Sequence, residues 1–540
     1  MKDFKDLTPE ELNKMDKEVL ITIISSLQGQ LKSISHQLDF LTEQIALMNQ
    51  RSFGKKTEQA DYMQLTIFDS ALNEAEFKCD NSPEPEIDEI IVSSYTRGKK
   101  TKREEKLKDI PARVHEHKFS EEELKELFPD GYKELPVETY KRLSIIPQTF
   151  IVDEHHVHVY ASKNNDGTII RASRPADLFR NSIATAELVS AIMTSKYLNH
   201  LPLERQIASF KDSGVKLESN TLANWMIKAS DKYLSLIYDE LHKCLYESNV
   251  LHADETPFKV IKPNGDDSKQ KSYMWVYRNS PEHKRPVVIY DYRPGRNHFY
   301  PSEFLKDYSG ILVTDGYQAY HSLDNKRDDI KVAGCWVHAK RKFADLVKAV
   351  GEDNVSGTIS AQAIEKISEI FHMDKELKGL TIAKRKKQRQ RLIKPKVDDF
   401  FDWLNEQLPT LPSESNTAKA ISYCLNQEKY LRVFLSNGNI PMDNNAAERA
   451  IRPFTIGRKN WVNIFSENGA EASSVIYSIV ETAKANDIRV YDYLTLLLQE
   501  MSIHAKDEDT SYIENLMPWS DYVKEKCKNP KKTDINISMS

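Results

Sequence analysis

Three acids in this chain stand where carboxylates are not ordinarily found. Asp254 falls inside the apolar-rich stretch NVLHADETPFKV, and Asp315 closes the run GILVT just before Gly316. A carboxylate at the end of a core strand prefers water unless it is paired or holds a metal ion. Glu448 stands in PMDNNAAERAIRPFTIGRKNW, with Arg449, Arg452, Arg458 and Lys459 behind it. Each acid has a plainer reading: Asp-Gly is a common turn, Asp254 fits a solvent-facing strand position, and Asn445 with Glu448 has the spacing of a helix capping box. Together they have the donor types of one cation site. In-line displacement at a phosphodiester uses two divalent ions about 3.5–4 Å apart, one at the attacking oxygen and one at the leaving oxygen. Magnesium takes oxygen ligands and keeps several waters, so three carboxylates and the phosphate suffice to hold two Mg2+ ions, with Mn2+ able to substitute. Glu448 and Arg452 share a helical face, which sets a metal ligand beside a phosphate-binding cation.

The elements that must position these acids begin near residue 249. NVLHADETPFKV, KSYMWVYRN and RPVVIYDYRP read as three consecutive strands, FYPSEFLKDY as a short helix, SGILVTDGYQAY as a fourth strand, and IKVAGCWVHAKRKF as a fifth strand leading into a helix. That order is ribonuclease-H-like, a mixed sheet with helices on its faces. Its first part spans 246–345 and its last part, with the third acid, 441–505. Between them, 346–440 reads as a helical insertion. A basic run from Lys384, Arg385, Lys386 and Lys387 to Lys396 is either a solvated helix face or a DNA contact. Cys335 and His338 offer half a metal site without a visible partner pair, so His338 is read as a hydrogen-bonding or phosphate-side residue, with Lys340 and Arg341 on a basic rim.

Upstream, Ile24, Leu27, Leu31, Ile34, Leu38, Leu41, Ile45 and Met48 follow an alternating three-and-four spacing. This is a coiled-coil seam, and it predicts a homo-oligomer; a two-helix hairpin is the alternative. The region 15–58 ends in a basic knuckle of Arg51, Lys55 and Lys56. Residues 59–110 read as a linker, acidic and then basic through Lys99, Lys100, Lys102 and Arg103, either a DNA-contacting arm or a solvated tether. Residues 111–180 read as a small strand-rich module in which FIVDEHHVHVYA alternates most clearly, and 181–245 as a helical, helix-turn-helix-like DNA-binding region. There Ser219 or Asn220 is the expected cap, with Thr221, Asn224 and Lys228 near the exposed face. Residues 506–540 read as a tail.

At 540 residues the chain exceeds the usual size of a single core, so a multidomain α+β protein is expected. A hydrophobic content of 40% and a charged content of 29% supply real cores and exclude a membrane protein. MKDFKDLTPEELNK carries no apolar signal core, and five scattered cysteines fit a reducing compartment; the chain should stay in the cytoplasm. The formal charge of -5 does not exclude a nucleic-acid partner, because the basic residues cluster.

The blocks RSFGKKTE, SKYLNHLPLERQ with TLANWM, HADETPFKV, VTDGYQAY, CWVHAKRKF, DNNAAERAIRPFTIGRKNW and FSENGAEASSVIYSIVETAKAN closely resemble the transposases of the bacterial insertion sequence 66 family. The resemblance covers roughly residues 20 to 505. It implies that Asp254, Asp315 and Glu448 match the first Asp, second Asp and final Glu of a DDE triad. It implies DNA substrates, the element ends to be cut and the target to which their 3'-hydroxyls are joined, and it leaves a place for accessory proteins of the same element. Where family members commonly carry a cysteine-rich zinc module, residues 100–175 hold no cysteine; the module either keeps its fold without zinc or has lost a DNA-binding role, and no structural zinc is expected. Two rival classes remain on the residues alone. A non-catalytic DNA-binding protein would leave the acids unexplained, and a carboxylate glycosidase would leave the basic segments without purpose.

Overall fold

The computed structural model describes residues 16–30, 149–161, 169–174, 177–261, 271–350 and 357–527. The seam residues Leu31, Ile34, Leu38, Leu41 and Ile45, the knuckle Arg51, Lys55 and Lys56, and the arm Lys99, Lys100, Lys102 and Arg103 lie outside them. The start of the seam is inside: residues 17–30 are helical, with Ile24 and Leu27 exposed. Residues 155–527 and this helix fall in one compact unit, and 149–154 in a second.

A short hairpin pairs β1 (Val159–Ala161) with β2 (Ile169–Arg171). The alternating stretch before it was expected to be strand throughout, but among its described residues only 159–161 form ladder pairs. Helices α1 (Ala186–Met193), α2 (Leu203–Asp212), α3 (Ser219–Ala229) and α4 (Ser235–Leu245) follow. Gly214 turns the chain between α2 and α3 at φ +83°, a conformation that favours glycine. The expected cap of α3 is not formed: Glu218 is at the N-cap, without a side-chain bond, and Ser219 and Asn220 lie inside the helix.

The sheet consists of β3 (Val250–Val260), β4 (Ser272–Asn279), β5 (Val288–Arg293), β6 (Gly310–Thr314) and β7 (Ile330–Gly334), with α5 (Phe299–Phe304) and α6 (Gln318–Lys326) in the connections. Its order is β5-β4-β3-β6-β7; β3, β4 and β5 pair antiparallel, whereas β3, β6 and β7 pair parallel. Helices α7 (Trp336–Val350), α8 (Ile359–Glu376), α9 (Ile382–Gln388), α10 (Lys394–Gln407) and α11 (Asn416–Leu431) precede α12 (Asn445–Trp461). Then β8 (Asn463–Ile464) adds to the far end of β3, and α13 (Glu467–Ala485), α14 (Val490–Ile503) and α15 (Asp521–Lys526) complete the described chain. The mixed α+β architecture agrees with the reading of strands and helices. Among the described residues, no helix is long and apolar enough to cross a membrane.

Each edge of the sheet is covered. At β5 the outward-facing amides of Val288 and Tyr290 donate to the hydroxyls of Thr482 and Ser478 on α13, at 3.0 and 2.8 Å. An open edge is a template for unwanted pairing, and these hydroxyls satisfy it. At the other side the insertion shares a core with the sheet: Val313 and Ala333 pack with Trp336, Phe343, Ile367, Phe400, Phe401 and Ile421. The expected tail is packed as far as Cys527, which is buried and whose carbonyl accepts from the Arg489 amide.

A buried ion pair pins the insertion. Asp374 on α8 accepts from Arg389 Nε at 2.7 Å and from Arg385 at 2.6 Å, and Arg389 also donates to the carbonyls of Phe434, Asn437 and Ile440 at 2.8 Å. Arg385, expected at a DNA surface, is thus committed to the interior, while Lys384, Lys386 and Lys387 stay exposed. Asp374→Ala would strand Arg389 as an uncompensated buried charge, and should lower stability by about 3–5 kcal/mol in urea unfolding. Replacing Asp374 and Arg389 together with leucine and methionine should cost less, because no charge is stranded.

Candidate functional site

The pleat of β3 divides its polar residues between two faces. His252 and Asp254 lie on the face covered by α12, and Glu255 faces α6. The parallel ladder from β3 to β6 has His252 opposite Val313 at its last pair, so two residues further along each strand Asp254 and Asp315 stand level. Asp315 is just past β6, where its Oδ1 accepts from the Tyr317 amide at 2.9 Å. Asp254 Oδ1 accepts from the Glu255 amide at 2.9 Å.

Glu448 enters from α12. The capping box expected between Asn445 and Glu448 is not formed, because Asn444 is the N-cap and makes no side-chain cap bond. Glu448 is therefore free of that task. Its Oε1 lies 3.8 Å from His338 Nδ1 and its Oε2 3.7 Å from Arg341. Neither Glu448 Oε1 nor His338 Nδ1 has a hydrogen-bond partner, although both atoms are buried. Ligand atoms of Cys335, His338 and Glu448 all lie within 4.8 Å of one another. The half-site read in Cys335 and His338 thus gains an acid from a distant segment.

The other two predicted acids act on Asp254. Burial, and then the charges of Glu255, Asp315 and Glu448, raise the Asp254 carboxyl well above the usual carboxylate range. Burial also lowers the His338 pKa, against the pull of Glu448. No basic side chain lies within ion-pair distance of Asp254 or Asp315 among the described residues, whereas other buried acids are matched. Asp291 has Arg293 at 2.7 Å, and Glu481 has Lys484 at 2.7 Å. A cluster of three acids that has a buried, unpartnered carboxylate oxygen and only Arg341 within ion-pair distance of one member has the donors and the charge deficit that a divalent ion supplies.

Asn444 fixes this arrangement. It is fully buried. Its amide nitrogen donates to the Ala253 carbonyl at 2.8 Å, its Oδ1 accepts from His252 Nδ1 at 3.1 Å, and its backbone N–H donates to Cys335 Sγ at 3.3 Å. Its carbonyl accepts from the amides of Ala447 and Glu448. Burial holds the His252 pKa down at about 4, so the ring is neutral and donates through Nδ1. On the other face of β3, Glu255 accepts from Arg296 at 2.5 Å and from the Tyr320 hydroxyl at 2.8 Å, and Arg296 stacks on Tyr317 at 3.8 Å. The sequence reading missed Asn444, Glu255 and Arg296. Glu255 was signalled only by being Asp254's neighbour, and Asn444 by the pair of asparagines of which the second was chosen.

The predicted DNA contacts divide. Arg449, Lys459, Asn224 and Lys228 are exposed; Thr221, Lys340, Arg341 and Arg452 are half-buried. Arg458 is committed inside, donating to Thr256 Oγ1 at 3.0 Å and to the Pro257 carbonyl, which ties α12 to β3.

Residues 181–472 match the family described as Transposase IS66 family, 478–519 match the IS66 C-terminal element, and 40–115 match the family described as Transposase C of IS166 homeodomain. Three relatives come from Sinorhizobium fredii (strain NBRC 101917 / NGR234), each called an uncharacterized protein. The chain is 32% identical to y4qI over 70% of both chains, and 27% identical to y4jD over 71% of this chain and 75% of that one. With y4hP it shares 29% identity over 62% of this chain and 61% of the relative.

Two outcomes follow from this geometry. Asn444→Ala leaves the Ala253 carbonyl and His252 Nδ1 unpaired, and should cost about 3 kcal/mol in denaturant unfolding. Because Asp254 releases its proton at higher pH when folded than when unfolded, the folded chain binds more protons above about pH 4, and its stability falls as pH rises through that window. Magnesium should therefore raise the melting temperature more at pH 8 than at pH 6, and Asp254→Asn should melt higher than the wild type when no divalent ion is added. Equal shifts at both pH values would show that Asp254 does not exchange its proton for a cation.

Proposed function

We propose, from the premise that the chain belongs to the transposase IS66 family, that Asp254, Asp315 and Glu448 are the DDE triad of a DNA strand-cleaving and strand-transferring enzyme. The observation that carries the reading is that Asp315, at the end of β6, and Glu448, on α12, act on the Asp254 carboxyl of β3, and that no basic side chain lies within ion-pair distance of Asp254 or Asp315 among the described residues. The order of the five long strands supports a ribonuclease-H-like core around them. Magnesium, when bound, would activate the attacking oxygen and stabilise the leaving one. Asp254, Asp315 and Glu448 would hold it, and loss of the Asp254 proton would accompany binding. Arg341, 3.7 Å from Glu448, and the exposed Arg449 are placed to meet the phosphates beside the reacting one.

The substrates in this reading are element-end DNA and target DNA. Self-association through the seam that begins at Ile24 and Leu27 would bring two ends together; both side chains are exposed on the helix over 17–30. A non-catalytic DNA-binding role leaves the unpaired acids without a reason, and a glycosidase reading leaves the family membership without one.

The test is Glu448→Gln. It keeps size and helix propensity but removes the charge, and since Glu448 caps nothing it should leave folding and DNA binding intact. Cleavage and joining on a duplex carrying the element ends should fall by at least about 100-fold, because several kcal/mol of transition-state stabilisation are lost. The wild-type reaction should require magnesium or manganese, with calcium supporting binding without efficient cleavage. Near wild-type cleavage by a folded Glu448→Gln protein would remove Glu448 from the triad.

A further inference from the structure

Across α12 from Glu448 lies a cavity of about 330 Å³ lined by Arg278, Pro281, Val288, Arg449, Glu481 and Lys484, with small residues of α12 and α13 completing the wall. Helical geometry explains the placement. Ala446, Ala447, Ala450 and Phe454 form the buried stripe of α12, and Glu448 and Arg449 flank it on opposite sides. Arg278 comes from β4, where it pairs with His252 in register and so shares the face of the sheet that carries Asp254.

The charges in this cavity do not balance. Arg278 is buried, yet no carboxylate lies within ion-pair distance of it among the described residues. Its Nε donates to the Asn279 carbonyl at 3.0 Å and one terminal nitrogen reaches the Ala446 carbonyl at 3.5 Å. Arg449 makes no ion pair among the described residues and presses on Arg278: burial first, and then Arg449, lower the Arg278 pKa to about 10. The cavity's one acid, Glu481, is already engaged, both of its oxygens accepting from Lys484 at 2.7 and 3.0 Å. With Glu481 and Lys484 offsetting each other, Arg278 and Arg449 remain as two cations without an acid in the cavity. Burying a guanidinium without a counter-ion is costly, and two guanidinium groups converging on one space make it costlier. An anion relieves both, and the planar guanidinium fork matches the oxygens of a phosphate.

We infer that the cavity between β4, α12 and α13 is a phosphate-binding pocket in which Arg278 and Arg449 grip a backbone phosphodiester of the DNA strand being processed, across α12 from the acids. This rests on the proposed DNA transaction but not on the identity of the triad. At about 330 Å³ the pocket lies near the lower end of ligand sites, about 300–1,000 Å³, and admits one phosphate with part of its sugar rather than a duplex. Its function is to fix the strand's register, so that the reacting phosphate reaches Asp254, Asp315 and Glu448.

The experiment uses the full-length protein and element-end duplexes in which single phosphates are replaced, one at a time, by uncharged methylphosphonates. Arg449→Ala, at an exposed position, should fold, weaken binding about tenfold, and lower the slope of log affinity against log salt by about one. One methylphosphonate position should weaken the wild type and leave Arg449→Ala unaffected. Arg278→Lys, which keeps the buried charge but loses the fork, should show the same loss at the same position. Variants that fold by circular dichroism yet keep wild-type affinity and salt slope overturn the pocket, as does a methylphosphonate profile identical in variant and wild type. Inorganic phosphate at millimolar concentration separates the sources: protection of the wild type against thermal unfolding with no position-specific methylphosphonate effect assigns the pocket to free phosphate and overturns the DNA contact. Glu448→Gln is the control for the underlying reading. It should keep the methylphosphonate profile while losing cleavage, so failure of the triad and failure of the pocket give different results.

Discussion

Asn444 is bonded at once to β3, to the start of α7 and to the first turn of α12, and the candidate site depends on this single buried amide more than on any of its acids. Carboxylates gathered in a low-dielectric space repel one another, so they cannot assemble themselves. A neutral group must hold the segments that carry them. The Asn444 side chain does so without touching an acid: it engages His252 and Ala253, the two residues just before Asp254, and its own carbonyl starts the helix that delivers Glu448. Its bonds are effectively all-or-none, because a buried donor or acceptor left unmade costs more than the bond contributes. The register between β3 and α12 is therefore narrow.

The two faces of β3 show how the fold treats acid charge. Glu255 and Asp254 are adjacent in sequence, yet the pleat sends one to Arg296 and Tyr320 and leaves the other with Asp315 and Glu448 for company. Elsewhere the buried acids Asp291, Asp374 and Glu481 have an arginine or lysine within 2.7 Å. The contrast supports the proposed cation site: the buried carboxylates are each matched by a base, whereas the half-buried Asp254 and Asp315 have none within ion-pair distance among the described residues. At the cavity beside α12 the imbalance has the opposite sign, with Arg278 buried and unmatched. An excess of acid on one flank of a helix and an excess of base on the other would suit, in the proposed reading, a metal-bound phosphate and a neighbouring phosphate.

Much of this was legible in the sequence, and the part that was not has one physical cause. The five long strands, the short helix before β6 and the helical insertion follow from apolar runs and their spacing, which are local. Asp254 and Asp315 drew notice because an acid inside or just past an apolar strand is conspicuous. Partner choice is not local. Arg385 and Arg458 looked like surface cations from their neighbours, but tertiary packing turned one to Asp374 and the other to Thr256 and Pro257. Asn445 had the spacing of a cap, and Asn444 became the cap residue because its side chain is held by β3, a strand nearly two hundred positions away. The roles of Ser478 and Thr482 are likewise non-local, because only the strand edge beside them explains them.

The insertion is not a detachable lobe. Its core is continuous with that of the sheet, through Val313, Ala333 and Trp336. Arg389 holds the carbonyls of Phe434, Asn437 and Ile440, and the Trp336 amide holds that of Met442, so the chain arrives at Asn444 already constrained at several points. Each of these bonds involves a buried group, and each removes freedom from the segment that must set Asn444 against β3. The buried charge of Arg389 is tolerated because it makes five hydrogen bonds, two of them to Asp374, and so has each of its three nitrogens engaged. The basic run of the insertion thus has two roles fixed by helical period: Arg385 and Arg389 face inward and set the path to Glu448, while Lys384, Lys386, Lys387 and Arg391 face outward and remain available to a polyanion.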